Sequence, residues 1–431
     1  MTGGMSIPPL PDGWRDQVRQ AADSFGTPLF VYFYDAMEAR LAALRAALPD
    51  GAHLYYSAKA NPNPFILRFY ADRGLGVEVA SLGEFSTASR ADVPAGRIIF
   101  VGPAKTDEEL SAAAAAGVEA VVVESVTELA RLARLASGDA PVSVALRLDL
   151  GRSGGRLAMS GETQFGMNAE EAWRVLGSAN SLPSLRIVGL HTYAGTQQKS
   201  VEEVAATCRA LMEQAARLQE GTPARLTFLD FGGGFGTPVR ARDPSPEWSG
   251  LRAALAPHVA EYRKRHPWTV RMAFESGRFL MAPAGILVTT VQDVKTKNTR
   301  RFALLDGGIA QFGFDDHYRG TRPPVIEVLA SADVPTRAPP GKATLCGPLC
   351  TPADRIASEI DLPPLRRGDR VCVFNTGAYG LTGNPGLFLG RGFAAEAAVT
   401  ANGIHLIRRR FTAAEFTALT VPLHAAPGEV T

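Results

Sequence analysis

Short apolar, β-branched runs return along the first two thirds of the chain, each followed by an amphipathic stretch. This rhythm limits the choice of fold more than any other feature. The runs occupy 53–57, 76–80, 97–102, 120–124, 143–148, 186–193, 227–231 and 270–274. Between them, segments such as 107–116, 126–137, 169–179 and 201–219 carry apolar residues at three- and four-residue spacing, the helix period. Eight alternating units fit a (β/α)8 barrel. A doubly wound open sheet is the second choice, because alternation alone does not distinguish a closed sheet from an open one.

From about residue 283 the rhythm changes. Runs at 284–294, 302–305, 325–329, 343–345, 370–374 and 404–409 read as strands, with Gly/Pro-rich turns and little helix between them. The run 30–33, ahead of the barrel, is expected to pair with this second, mostly β domain. The expected organisation is a barrel over 36–282 and a β-rich domain from 1–35 and 283–431. A chain of 431 residues has room for both, and 46% hydrophobic residues supply ample core.

Charge and leader signals narrow the partners. A net charge of +2 argues against a nucleic-acid partner, and Arg408-Arg409-Arg410 reads as a basic strand end. No apolar stretch reaches membrane-spanning length, and the N-terminus lacks a basic-then-apolar leader, so a cytoplasmic protein without a membrane is expected. Cys208, Cys346, Cys350 and Cys372 form no CxxC pair and no zinc spacing, so no metal is expected.

In a barrel, chemistry gathers where strands end. The first run leads into Lys59; a lysine in a partly desolvated pocket has a lowered pKa and can form an imine, whereas a solvated loop lysine does nothing. The seventh ends in Gly232-Gly233-Gly234, where successive amides can converge on an anion or simply make a turn. The eighth ends Glu275-Ser276-Gly277-Arg278, either an ion pair or an acid for a heterocycle nitrogen with an arginine near a phosphate. The sixth ends His191-Thr192-Tyr193-Ala194-Gly195-Thr196, where His191 and Tyr193 share a face by the strand period of two.

Each motif is weak alone, but their order is specific. Tyr56-Ser57-Ala58-Lys59-Ala60-Asn61, then Glu78-Val79-Ala80-Ser81-Leu82-Gly83-Glu84, the triple glycine, Glu275-Ser276-Gly277-Arg278, Gly347-Pro348-Leu349-Cys350 and Gly377-Ala378-Tyr379 follow one another. The chain thereby resembles the alanine-racemase-like fold of pyridoxal phosphate enzymes and, within it, the diaminopimelate and ornithine decarboxylase family. The resemblance spans about 25–412.

The resemblance implies roles. Lys59 matches the imine-forming lysine, and Gly232, Gly233 and Gly234 match the phosphate loop. Glu275 matches the acid on the pyridine nitrogen. Arg278 and Tyr379 match phosphate-side groups, with Gly277 beside them. Arg147 matches a strand arginine near the cofactor, and Glu78, His191, Tyr193 and Thr196 fall at cofactor-side positions. Cys350 matches a cysteine that a partner subunit contributes to reprotonate the product, and Asp354 matches an acid of the same motif. A homodimer with shared active sites is implied.

Several positions depart from the family pattern. Tyr193 stands where His is usual, Glu78 where Asp is usual, and Ser276 where Pro is typical. Thr351 stands where relatives carry an acid for the substrate's distal amine, which weakens a free basic amino acid as substrate. With the segment 156–167, Tyr193 and Thr351 look more like the branch that decarboxylates aminoacyl groups tethered to an acyl-carrier protein in secondary metabolism. Arg240, Arg242, Arg319 and Arg322 are candidates for meeting such an acidic carrier, or are ordinary surface charges. Free diaminopimelate is the alternative substrate. A racemase would need a second acid–base residue opposite Lys59. A non-catalytic pyridoxal phosphate-binding protein is disfavoured, since barrel relatives of that kind lack the second domain.

Overall fold

A computed structural model describes residues 10–136, 138, 140–151, 157–159, 161–220, 222, 224–238, 240, 243, 245–312, 323–331 and 339–420. The chain divides into two compact units. One comprises Arg40–Thr237 and Ser245–Leu280; the other comprises Met1–Ala39, Pro238–Pro244 and Met281–Thr431.

The first unit is a closed parallel barrel. Its strands are His53–Ser57, Gly76–Val79, Ile98–Phe100, Ala120–Val123, Val142–Arg147, Leu185–His191, Phe228–Asp230 and Arg271–Ser276. Each lies parallel to the next, and Arg271–Ser276 pairs with His53–Ser57 to close the ring. Closure excludes the open-sheet alternative. Ile98–Phe100 and Ala120–Val123 are buried at every position, as strands covered on both faces must be. Inside the ring, Tyr55 and Phe228 pack against the small Ala120, Ala145 and Ala273, so large and small side chains interdigitate. Burying one such aromatic contributes about 1.5–3 kcal/mol.

The helices start on caps that the chain supplies just after strand ends. Ser81, Thr106, Ser125, Asn168 and Ser200 each accept an amide three residues on. A cap of this kind is worth about 0.5–2 kcal/mol and also fixes the loop leading into the helix. Helices Asp107–Ala116 and Val201–Gln219 run over the expected spans. Val126–Leu135 and Ala169–Gly177 stop short of the expected ends, where Ala136 turns extended and Ser178 leads into a 3-10 turn.

The second unit is built on a mostly antiparallel sheet. Its order is Arg355–Leu362, Gly341–Cys346, Arg300–Leu305, Gly285–Lys297, Leu29–Phe33, Ala395–Thr400 and Gly403–Arg408. Arg370–Phe374 pairs with Gly285–Lys297 and with Ile326–Leu329. The early strand Leu29–Phe33 does join this sheet, antiparallel to Gly285–Lys297 and parallel to Ala395–Thr400. The sequence pattern did not reveal Ala395–Thr400, because four of its residues are strand-neutral alanine or polar Glu396. It is nonetheless a buried inner strand. Glu396 is sealed there by the Tyr32 hydroxyl at 2.6 Å and by Arg408.

All four cysteines are unpaired. Among the described residues no helix is long and apolar enough to cross a membrane. Arg240 is not the exposed arginine its sequence context suggests. It is 6% exposed, and its backbone bridges Pro324 in the same unit. Arg242, Arg319 and Arg322 lie outside the described residues.

Candidate active site

The groups that converge do so at the carboxyl ends of the barrel strands. Lys59 sits in the single 3-10 turn Ala58–Ala60 that follows the first strand. Its side chain is 40% exposed, while the partner Glu78, from the second strand, is 1% exposed. The ammonium donates to both carboxylate oxygens, at 2.8 and 3.0 Å. The Tyr193 ring stands 5.9 Å from Nζ. The sixth strand ends at His191, two residues before the expected end, and the two aromatic residues take different partners. Tyr193 faces the lysine, whereas His191 faces inward and brings Nε2 to 3.1 Å from Glu275 Oε1.

Glu275 comes from the last strand and is 2% exposed. Burial alone would raise its pKa. The His191, Lys59 and Arg147 charges outweigh burial and hold it below the ordinary carboxylate range. Asp230 lies next to it and behaves oppositely. Burial, then the Glu275 charge, push its carboxyl well above the usual value. Arg147 is clamped by Glu124 at 2.8 Å and stacks 4.6 Å from the Phe165 ring. Glu124 uses its other oxygen on the Gly166 amide at 3.0 Å.

The glycine loop has a steric cause. Gly232 and Gly234 have φ of 64° and 85°. A Cβ added at Gly233 would stand 2.2 Å from the Glu275 carbonyl, and one at Gly234 2.0 Å from the Gly195 carbonyl. Only glycine permits this close approach of backbones. The amides of Gly233 and Gly234 donate to no backbone carbonyl among the described residues. Gly277 and buried Arg278 follow the last strand, and Thr196 lies in the short strand Gly195–Thr196.

The remaining expected residues lie in the β unit. Cys350 is exposed. Thr351 accepts the Ala353 amide at 3.2 Å. Asp354 is 2% exposed, and its two oxygens accept the Ile309 and Leu349 amides at 2.8 and 2.7 Å, so it shapes its own loop. Tyr379 has φ of 58°. Arg322 lies outside the described residues.

Three buried groups escaped the sequence reading: Asp230, Glu124 and the pair Lys105–Glu128. The only available signal was position, since Asp230 and Glu124 each fall at a strand end.

The barrel thus presents an accessible amine, glycine amides suited to a phosphate, a buried anion suited to a heterocycle nitrogen, and an aromatic ring beside the amine. That set fits pyridoxal phosphate and defines a pyridoxal phosphate enzyme on a (β/α)8 barrel. The profile of the pyridoxal-dependent decarboxylase, pyridoxal binding domain, matches residues 34–282. The chain belongs to this family, as a fold-type III amino-acid decarboxylase of the diaminopimelate/ornithine type. It is 33% identical over 404 residues to the L-glutamyl-[BtrI acyl-carrier protein] decarboxylase of Niallia circulans, covering 91% of this chain and 94% of that one. It is 31% identical over 404 residues to the diaminopimelate decarboxylase of Zymomonas mobilis, covering 91% and 92%. A lysine/ornithine decarboxylase from Vibrio vulnificus, crystallised with putrescine, superposes with a TM-score of 0.75 at 26% identity, over 91% of this chain and 99% of that one.

Proposed function

We propose that this enzyme removes the α-carboxylate from an aminoacyl group tethered to an acyl-carrier protein, in a secondary-metabolite pathway. The observation that carries this reading is the 33% identity to a glutamyl-carrier-protein decarboxylase along nearly the whole chain. Thr351 supports it: a hydroxyl that caps its own loop offers no charge for a distal ammonium. Diaminopimelate is the second reading, favoured by several relatives that bear that name.

Lys59 would hold the cofactor's aldehyde carbon and yield it to the substrate amine. The Gly232–Gly234 loop, through its Gly233 and Gly234 amides, and Arg278 would hold the phosphate, with Tyr379 as a further phosphate-side group. Tyr193 would cover one face of the ring, and Glu275 would keep the ring nitrogen protonated. When bound there, pyridoxal phosphate supplies an electron sink for the pair released as the carboxylate leaves as carbon dioxide. A proton then replaces the lost carboxylate, and Cys350 of the partner subunit is the group assigned to assist it. The enzyme would therefore work as a homodimer with shared sites.

Carbon dioxide release decides the substrate. Free diaminopimelate, ornithine, lysine and glutamate are compared with glutamyl and other aminoacyl groups loaded on a carrier protein. Release from a carrier-bound group alone supports the proposal. Fast turnover of free diaminopimelate replaces it with the second reading.

A further inference from the structure

The glycine loop can hold an anion only if its amides are kept free for one, and each of its peptide units is held by the carbonyl. The Gly232 carbonyl accepts the Glu275 amide at 2.8 Å, and the Gly234 carbonyl accepts the Gln198 amide at 2.8 Å. The middle carbonyl, of Gly233, accepts Nε2 of the Gln198 side chain, also at 2.8 Å. In a trans peptide the C=O and the following N–H point in opposite directions. Each clamped carbonyl therefore turns the next amide away from its clamp. The amides so turned, of Gly233, Gly234 and Phe235, donate to no backbone carbonyl among the described residues.

The three clamps are not equivalent. Two come from backbone amides, which any residue except proline would supply at 198 or 275. The third is a side chain. Gln198 lies between the short strand Gly195–Thr196 and the helix Val201–Gln219, and is 2% exposed. Its backbone bridges Phe235, and a Cβ added at Gly234 would stand 3.0 Å from Nε2, so the side chain is packed onto the loop. Its Oε1 has no partner among the described residues. A reversed amide would set that oxygen against the Gly233 carbonyl, acceptor against acceptor. The peptide that Nε2 holds joins two glycines. With no Cβ on either side, sterics oppose its rotation only weakly. Rotated, it would present a carbonyl oxygen where an anion needs an N–H.

We propose that the Gln198 side chain sets the site's preference for a phosphorylated cofactor, by holding the Gly233–Gly234 peptide so that the Gly234 amide stays available to a phosphate. Gln198 is a positioning residue that acts through the loop. The proposal rests on the Gly232–Gly234 loop being the phosphate site.

The test compares the dissociation constants of pyridoxal phosphate and of pyridoxal, read from the imine absorption, in wild type, Gln198→Met and Gln198→Asn. Methionine fills the space without a donor; asparagine keeps the amide but falls a methylene short. In both variants the preference for the phosphorylated form should drop about tenfold or more, the worth of one hydrogen bond to a charged group, with pyridoxal bound as in wild type. A parallel loss for both ligands would mean that Gln198 serves only the fold, and overturns the proposal. An unchanged preference in a folded Gln198→Met overturns it too. If Gln198→Met does not fold, Gln198→Asn decides by the same criteria. A wild type that binds pyridoxal as tightly as pyridoxal phosphate overturns the placement of the phosphate on this loop, and the proposal falls with it. A wild-type preference that survives in the variants removes Gln198 alone.

Discussion

Two lysine–glutamate pairs stand near the strand ends of the same barrel, with nearly equal bond lengths and opposite fates. Lys59–Glu78 spans 2.8 Å with the lysine 40% exposed; Lys105–Glu128 spans 2.7 Å with both side chains almost fully buried, at 2% and 6%. Lys105 also donates to the Gly102 and Val122 carbonyls, at 2.6 and 2.7 Å, so all three of its protons are used. Burial pushes the Lys105 amine down and the Glu128 carboxyl up, and each partner's charge opposes the shift in the other. That pair is sealed into the structure. The open pair keeps a reachable amine beside an aromatic ring, which imine chemistry requires. Ion-pair geometry does not separate the two; solvent access does.

The strongest break in this comparison is Lys59→Ala. It should abolish turnover and the visible absorption band of the bound cofactor; stability should also fall, because buried Glu78 loses its partner, but by less than for Lys105→Met, since the half-exposed lysine leaves a path for water to reach that carboxylate. A retained band would mean that another amine carries the cofactor. Lys105→Met should act mainly on stability. It leaves Glu128 buried and unpaired, and should cost about 3–5 kcal/mol in urea unfolding. Adding Glu128→Leu should recover most of that loss. A single variant as stable as wild type would show that the sealed pair is not structural.

The β unit supplies an intermediate effect. Cys350→Ala should leave cofactor binding intact and slow turnover about a hundredfold, the lower end for a lost proton-transfer group. Unchanged turnover would remove Cys350 from the chemistry.

The smallest effect concerns Glu84, near the open pair. Burial first, and then the Glu78 charge, raise its pKa above 4.5, against the Ala80 amide and Lys59. A carboxyl raised on folding binds its proton more tightly in the folded state. Its stabilising contribution is complete below about pH 4.5 and is lost as pH rises through the folded value. Glu84→Gln should therefore gain stability relative to wild type between about pH 4.5 and 7, by about 1 kcal/mol or less. A difference that does not vary with pH would contradict the shift.

Much of the candidate site was legible in the sequence. Lys59, the triple glycine and Glu275 all stand at the ends of apolar runs, where a barrel puts its chemistry. The strand Ala395–Thr400 was hidden because its burial comes from neighbours, not from its own residues. Asp230 was hidden because one aspartate before a glycine looks like a turn. Only its position beside His191 and Glu275 makes it unusual. His191 and Tyr193 could not be told apart by strand period, since the strand ends between them.

Local pattern determined the alternation of strand and helix, the second domain's β character and the residues at the strand ends. These follow from side-chain periodicity and turn chemistry, which are properties of neighbours in the chain. Ring closure, the inner strand of the β sheet, the split roles of His191 and Tyr193, and which lysine stays accessible were decided by tertiary structure. Each depends on which distant residues surround a group, and burial and charge at that group follow from those neighbours alone.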